Sequence, residues 1–138
     1  MANSLYPVWK KAVLDGTANA DLDDSEGATG VFAALIDTGT YTYSDAHVFY
    51  SELSGIVGTD QEITTKTTTG GVFDGDDVTF SSVTGATVEA IVIYRKNAGA
   101  NTTWQLVAFI DTGVTGLPVT PNGGDITISW NASGIFEV

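Results

Sequence analysis

Two near-identical hexapeptides carry the residues best placed to do chemistry. "ALIDTG" runs from Ala34 to Gly39, and "AFIDTG" runs from Ala108 to Gly113. Asp37 and Asp111 could act as paired carboxylates. Two acids held close share one proton, because both cannot ionise together, and the pair then activates a water. That is the chemistry of an acid protease. The spacing argues against it. The aspartates stand 74 positions apart (111 minus 37), too few for two lobes that are each a β-domain. A one-motif subunit would need a flap hairpin and then an apolar-apolar-Gly segment. "IVG" (56–58) follows Asp37 too soon, and only 27 residues (138 minus 111) follow Asp111. Turn chemistry accounts for both copies more simply. A buried strand ends, Asp accepts hydrogen bonds from the next amides, Thr supports the turn and Gly takes a positive φ. The protease reading requires acid-pH proteolysis that Asp37→Asn abolishes. None is expected, and the chain reads as non-enzymatic.

Other chemistry is thin. His47 is the only histidine and there is no cysteine, which excludes disulfides, thiolate metal sites and a histidine-based metal centre. A Ser–His–Asp arrangement lacks a nucleophile-elbow pattern. His47, beside Val48 and Phe49, reads as packing or a cap. "DLDDSEG" (21–27) and "DGDD" (74–77) offer hard oxygen ligands. The EF-hand spacing fails: with Asp21 first, the required glycine comes one residue late and the closing glutamate is Phe32. A looser calcium site stays open, but solvated loop charge is the simpler reading. No cofactor is expected.

Residues that could bind a partner are easier to find. Trp9, Trp104 and Trp130 could line a carbohydrate groove, but Trp130 lies on an amphipathic strand and Trp104 in a central one, so both are expected in the core. Trp9 sits on an N-terminal apolar stripe with Leu5 and few obvious partners, which suits docking onto another subunit. Tyr6 belongs to the same segment. The threonine-rich stretch 61–69 has strong β propensity, little charge and no apolar face. It reads as an exposed edge strand or, the favoured reading, as one whose edge pairs with another chain through residues such as Thr65 and Thr67. "GLPVTPNGG" (116–124), with Leu117, Pro118 and Pro121, is a stiff loop that holds its shape without secondary structure.

The elements that position these residues follow from periodicity. Residues 4–14 carry Leu5, Trp9, Ala12 and Val13 at helical spacing, with Ser4 as cap and Pro7 in the first turn. A second helix is expected over 44–54. "VFAALID" (31–37) suits a buried strand. "DDVTFSSV" (76–83), "TVEAIVIYRK" (87–96), "TWQLVAFID" (103–111), "GDITISW" (124–130) and "GIFEV" complete, with 61–69, about seven strands. Residues 87–96 and 103–111 should form a hairpin through "NAGAN". The expected fold is mainly β: an antiparallel β-sandwich or flattened barrel with one or two short helices. One domain over residues 1–138 is expected, with the N-terminal helix and arm taking about 1–27.

Charge narrows the partners. Five basic residues face 17 acidic ones, for a net charge of −12. Such a surface repels phosphate backbones and anionic membranes, so neither nucleic acid nor membrane is expected as a partner. The longest apolar runs are strand-sized, too short for a signal-peptide core or a membrane span.

The order of segments resembles a family. An N-terminal helix ends in "LDG", then come "LIDTGTYT", "DAHVFYSEL", "GVFDGDDVTFSSV", "EAIVIYRK", "LVAFIDTG" and "GLPVTPNGGDITISW". This is similar, nearly end to end, to small virion structural proteins of tailed bacteriophages, several of which act as capsid decoration (cement) proteins. The resemblance implies a non-enzymatic part of the virion, made in the host bacterial cytoplasm and bound to the capsid surface. It implies the major capsid protein as partner and a homo-oligomer, a trimer among the candidates. A tail- or fibre-associated binding module is the alternative. The family has no catalytic motif to transfer, so no active-site residue is assigned.

Overall fold

The apolar segments pair into one antiparallel sheet. The computed structural model describes residues 3–17, 20–23 and 30–138. Its main sheet is built from β1 (Ser4–Leu5), β2 (Gly30–Ile36), β3 (Ile56–Glu62), β6 (Ala90–Lys96) and β7 (Gln105–Ile110), in the order β1-β7-β6-β2-β3. Two small antiparallel pairs accompany it: β4 (Val72–Phe73) with β9 (Phe136–Glu137), and β5 (Val78–Phe80) with β8 (Ile126–Ile128). One helix, α1 (Pro7–Asp15), completes the elements, beside three short 3₁₀ turns. The fold is mainly β and sandwich-like. No barrel closes among the described residues, so the flattened-barrel alternative falls away.

Chain order follows side-chain chemistry. β6 has apolar residues on both faces because neighbours cover both, and Ala90 to Arg95 are all buried. It pairs with β2 through seven aligned residues, from Gly30↔Lys96 to Ile36↔Ala90, and with β7 on its other side. The expected hairpin between β6 and β7 is present. In α1, Pro7 occupies the first turn, where its missing N–H costs nothing, and Gly16 closes the helix at φ 67°. Ser4 does not cap this helix; it pairs with Phe109 across β1 and β7.

Three expectations are corrected. Residues 44–54 form no α-helix, only a 3₁₀ turn at Tyr50–Glu52. The Glu52 carboxylate reaches back to accept the N–H groups of Val48 (2.6 Å) and Phe49 (2.8 Å), and Phe49 bridges to Gln105. That fixes the segment as extended chain across the end of β7. The stretch 61–69 is an edge strand only at Gln61 and Glu62, the end of β3 at the margin of the main sheet. β3 ends at Glu62, Thr65 takes a left-handed φ of 52°, and Thr67 exchanges both backbone hydrogen bonds with Asp74 (2.9 and 3.0 Å). Thr67 spends both its ladder groups within the chain. Finally, nine strands appear among the described residues where about seven were expected; β1 and β4, at two residues each, are too short to show a period, and β3 begins at Ile56, ahead of the expected stretch.

Candidate functional site

The two Asp-Thr-Gly loops lie at the same end of the sheet. β2 and β7 both run antiparallel to β6, so they run the same way and finish side by side with β6 between them. Asp37 and Asp111 therefore sit two strand spacings apart, roughly 9.5 Å along the sheet. That is far from a shared-proton pair. Asp37 is also committed to its own turn: Oδ1 accepts from the Gly39 N–H (2.8 Å) and Oδ2 from the Thr40 hydroxyl (2.9 Å). Asp37 accepts from the Gly39 amide as expected, but the supporting hydroxyl is that of Thr40 and not of Thr38, and the glycine differs too. Gly39 is not at positive φ. A Cβ there would meet Asp37 Oδ1 at 3.0 Å and press on the turn's own acceptor.

The second loop is satisfied differently. Asn3 Oδ1 accepts the N–H groups of Asp111 (2.8 Å) and Thr112 (3.0 Å), and Asn3 Nδ2 donates to the Thr112 carbonyl. This cap comes from Asn3 in the N-terminal segment, where the expectation had Asp111 accept the next amides. Gly113 does take the expected positive φ, 77°. Between the loops lies an open groove of about 570 Å³ lined by Thr38, Tyr43, Glu89, Phe109, Asp111 and Pro118 among others. Glu89 Oε2 accepts the Thr38 N–H at 3.0 Å.

The first loop yields a prediction. The Gly55 carbonyl accepts the Asp37 N–H at 2.8 Å, and Gly55 stands at φ 63° with its α-carbon against Asp37. A Cβ there would lie 2.7 Å from the Asp37 carbonyl oxygen. Gly55→Ala is expected to cost about 1–3 kcal/mol, by clash and by the left-handed backbone. Urea denaturation measures it, and a loss below about 0.5 kcal/mol would contradict this role.

The other sequence candidates separate cleanly. His47 Nδ1 hydrogen-bonds the Tyr41 hydroxyl (2.8 Å), which contacts the buried Tyr6 hydroxyl at 2.9 Å. His47 closes a packing network, and burial pushes the Tyr6 hydroxyl far above the ordinary tyrosine range. Among the described residues, no group of three or more His, Cys, Asp or Glu could hold a metal ion. The 24–27 part of the acidic loop lies outside the described residues. Asp21 faces the buried Arg95 guanidinium at 3.5 Å, while Asp76 accepts from Thr65 and Asp77 from the Trp130 amide.

The expected contact residues are only partly on the surface. Trp9 is 2% exposed, and Tyr6 is fully buried. The Trp9 indole donates to the Ala20 carbonyl (3.0 Å) and meets the Phe136 ring edge-on at 5.8 Å. The expectation that Tyr6 and Trp9 dock onto a partner is overturned, because this chain's own core consumes both. Leu5 is half-buried in β1. Thr65 and Thr67 are exposed but sit in a self-paired loop. Leu117 is half-buried against the core, Pro118 is exposed and Pro121 half-buried, and the loop is pinned by the Val88↔Val119 bridge.

Sequence reading missed the residues that do reach solvent. Among the described residues, the exposed large apolar side chains are Val8, Val13 and Leu14 on α1, and Val138. Leu14 is 87% exposed. Val13 and Val138 line one shallow groove with Trp9, Val72 and Phe73 at its floor. The apolar side chains of α1 exceed what one buried stripe needs, and that surplus was the available signal.

A second surface lies on the opposite run of the main sheet. Phe32 on β2 and Tyr94 on β6 are cross-strand partners, with rings 5.9 Å apart and 21° from parallel. Trp104 continues the row, 5.8 Å from Tyr94 and 9° from parallel. Contrary to expectation, Trp104 and Trp130 are each only half-buried. Beneath the row, Asp60 Oδ2 accepts the hydroxyls of Tyr50 (2.7 Å) and Tyr94 (2.8 Å).

Burial raises the Asp60 carboxyl above its ordinary range, although the two hydroxyls and Lys96 oppose it. The folded pKa thus lies above the unfolded one. The stability this group allows is complete below the unfolded value, near pH 4, and is lost as pH rises through the folded value. Asp60→Asn removes the titration. Wild type should gain melting temperature relative to Asp60→Asn as the buffer falls from about pH 7 to about pH 4. A difference that stays flat would contradict the sign.

No protein-family model matches the chain, and no curated protein matches it either.

Proposed function

We propose that this chain is a non-enzymatic structural protein of a tailed-bacteriophage virion. It serves as a capsid decoration (cement) protein that binds the outer capsid surface and reinforces contacts between major capsid subunits. The near end-to-end resemblance of its segments supports the reading. The observation that carries it is that Val13 on α1 and Val138, both exposed and apolar, line one groove, with Leu14 87% exposed on the same helix, on a chain of net charge −12. Exposed apolar side chains beside an apolar groove suit a protein contact.

The mechanism is bridging. A net charge of −12 keeps free copies apart and soluble. At the shell, the α1 face buries apolar area across a subunit junction, and binding to the assembled state stabilises it by mass action. Contacts repeated over the lattice, or within a homo-oligomer such as a trimer, add avidity to a modest single site. The partner is the major capsid protein. The chain requires no cofactor, nucleic acid or membrane for this role.

Particles assembled without the chain should release their genome at a lower temperature than complete particles, and purified chain added back should restore the difference. Identical release temperatures with and without it would remove the reinforcing role. The aromatic row of Phe32 on β2, Tyr94 on β6 and Trp104 just before β7 favours a second reading, a tail- or fibre-associated binding module.

A further inference from the structure

The outer face of α1 carries charge as well as apolar surface, and the two together describe what it meets. The chain has five basic residues. The fold uses three of them. The Arg95 guanidinium is buried against Asp21, Lys66 donates to the Ile63 carbonyl at 3.2 Å, and the Lys96 ammonium lies over the Phe32 and Trp104 rings. The other two, Lys10 and Lys11, are neighbours on α1 and both stand exposed. Lys11 pairs with Asp15 one turn on, while the Lys10 ammonium has no ion pair among the described residues. Helix spacing sets both lysines around Leu14. Lys10 comes four residues before it and Lys11 three, so they flank it on the face turned away from Trp9 and Ala12. Leu14 is the most exposed large apolar side chain among the described residues. Val13 lies beside it, in the groove it shares with Val138.

Charge selects the partner. α1 holds two lysines against one aspartate, whereas the rest of the chain holds three basic residues against 16 acidic ones (17 minus Asp15). α1 is thus a locally cationic face on an acidic molecule. A basic surface would attract the acidic remainder more strongly than α1 and turn this face away. An acidic surface does the reverse. It admits the molecule through α1 and repels it elsewhere, which fixes the orientation of docking. A leucine between two ammonium groups fits a hollow with an apolar floor and a rim of carboxylates. Anionic lipid shares the charge but not the fit: lipid-binding segments gather roughly four to eight basic residues, and α1 has two.

We infer that α1 docks on a protein surface presenting carboxylates around an apolar hollow, with Leu14 entering the hollow and Lys10 reaching the acidic rim. This rests on the reading that α1 faces the capsid, and it adds the chemistry of the capsid surface at that contact.

The test is add-back of purified full chain to particles assembled without it, with bound chain quantified on gels over a concentration series. Lys10→Glu changes an exposed position, so its melting temperature should match wild type. Its affinity for the particles should fall about tenfold in ~50 mM NaCl, through one attraction lost and one repulsion gained. Raising NaCl to about 500 mM should close most of that gap, because screening removes the contribution of charge and leaves that of apolar contact. Lys10→Arg should bind as wild type does. If Lys10→Glu binds as tightly as wild type, or if salt leaves the gap unchanged, the inference is overturned, and loss of Leu14→Asp from the same particles would still support docking through α1. Normal binding of Leu14→Asp would remove that docking and the inference with it. Wild-type binding to phosphatidylglycerol vesicles that Lys10→Glu abolishes would also overturn it, since the patch would then serve lipid.

Discussion

Trp9→Ala is expected to destabilise the fold by about 3–5 kcal/mol, the range for truncating a buried aromatic side chain. Trp9 is 2% exposed and packs edge-on against Phe136, which belongs to the strand that ends the chain. Its indole is the donor to the Ala20 carbonyl in a buried setting. Truncation opens a cavity between α1 and the β4–β9 pair and leaves that carbonyl unpaired. Trp9→Phe separates the two effects: it keeps most of the ring, loses the donor, and should cost about 1–3 kcal/mol. Urea melts of both variants check the ordering. A Trp9→Ala loss under about 1 kcal/mol would mean that the indole is not a core element.

Leu14→Asp is the opposite case, a change that leaves the fold alone and removes the function. Leu14 is 87% exposed, so its replacement should move folding stability by no more than about 0.5 kcal/mol. If the α1 face docks on the shell, burying Leu14 contributes about 1.5–3 kcal/mol at the contact. An aspartate there loses that term and adds a charge that must be desolvated. Particle occupancy should fall at least tenfold, since each ~1.4 kcal/mol is a factor of ten. Val13→Asp should act in the same direction. Quantitative gels of purified particles, beside melting curves of the free variants, report both arms. Normal incorporation of Leu14→Asp would detach α1 from the binding role.

The contrast between Trp9 and Leu14 shows where sequence reading stops. Apolar spacing placed a helix near residues 4–14, and a helix runs from Pro7 to Asp15. Spacing could not say which of its apolar residues face inwards. That choice depends on Ala20, Phe73 and Phe136, contributed by separate parts of the chain. The long apolar runs were legible for the reverse reason. β2, β6 and β7 are each covered by neighbours, so their composition alone implies burial. Turn chemistry was legible at Asp37, whose partners Gly39 and Thr40 are adjacent in sequence. It failed at Asp111, where the capping side chain, Asn3, lies 108 positions away. Threonine's β propensity pointed to a strand over 61–69, but Thr65 turns left-handed and Thr67 pairs with Asp74. The aromatic row escaped notice because Phe32, Tyr94 and Trp104 come together only through strand register.

The central claim is that this chain covers a capsid. The measurement that tests it most directly is the copy number of the chain relative to the major capsid protein in purified particles. The account predicts a ratio close to that of the capsid subunits, with the chain lost from particles when Leu14 is replaced by aspartate. A handful of copies per particle would place it at the tail or a fibre. Its absence from particles would contradict the account.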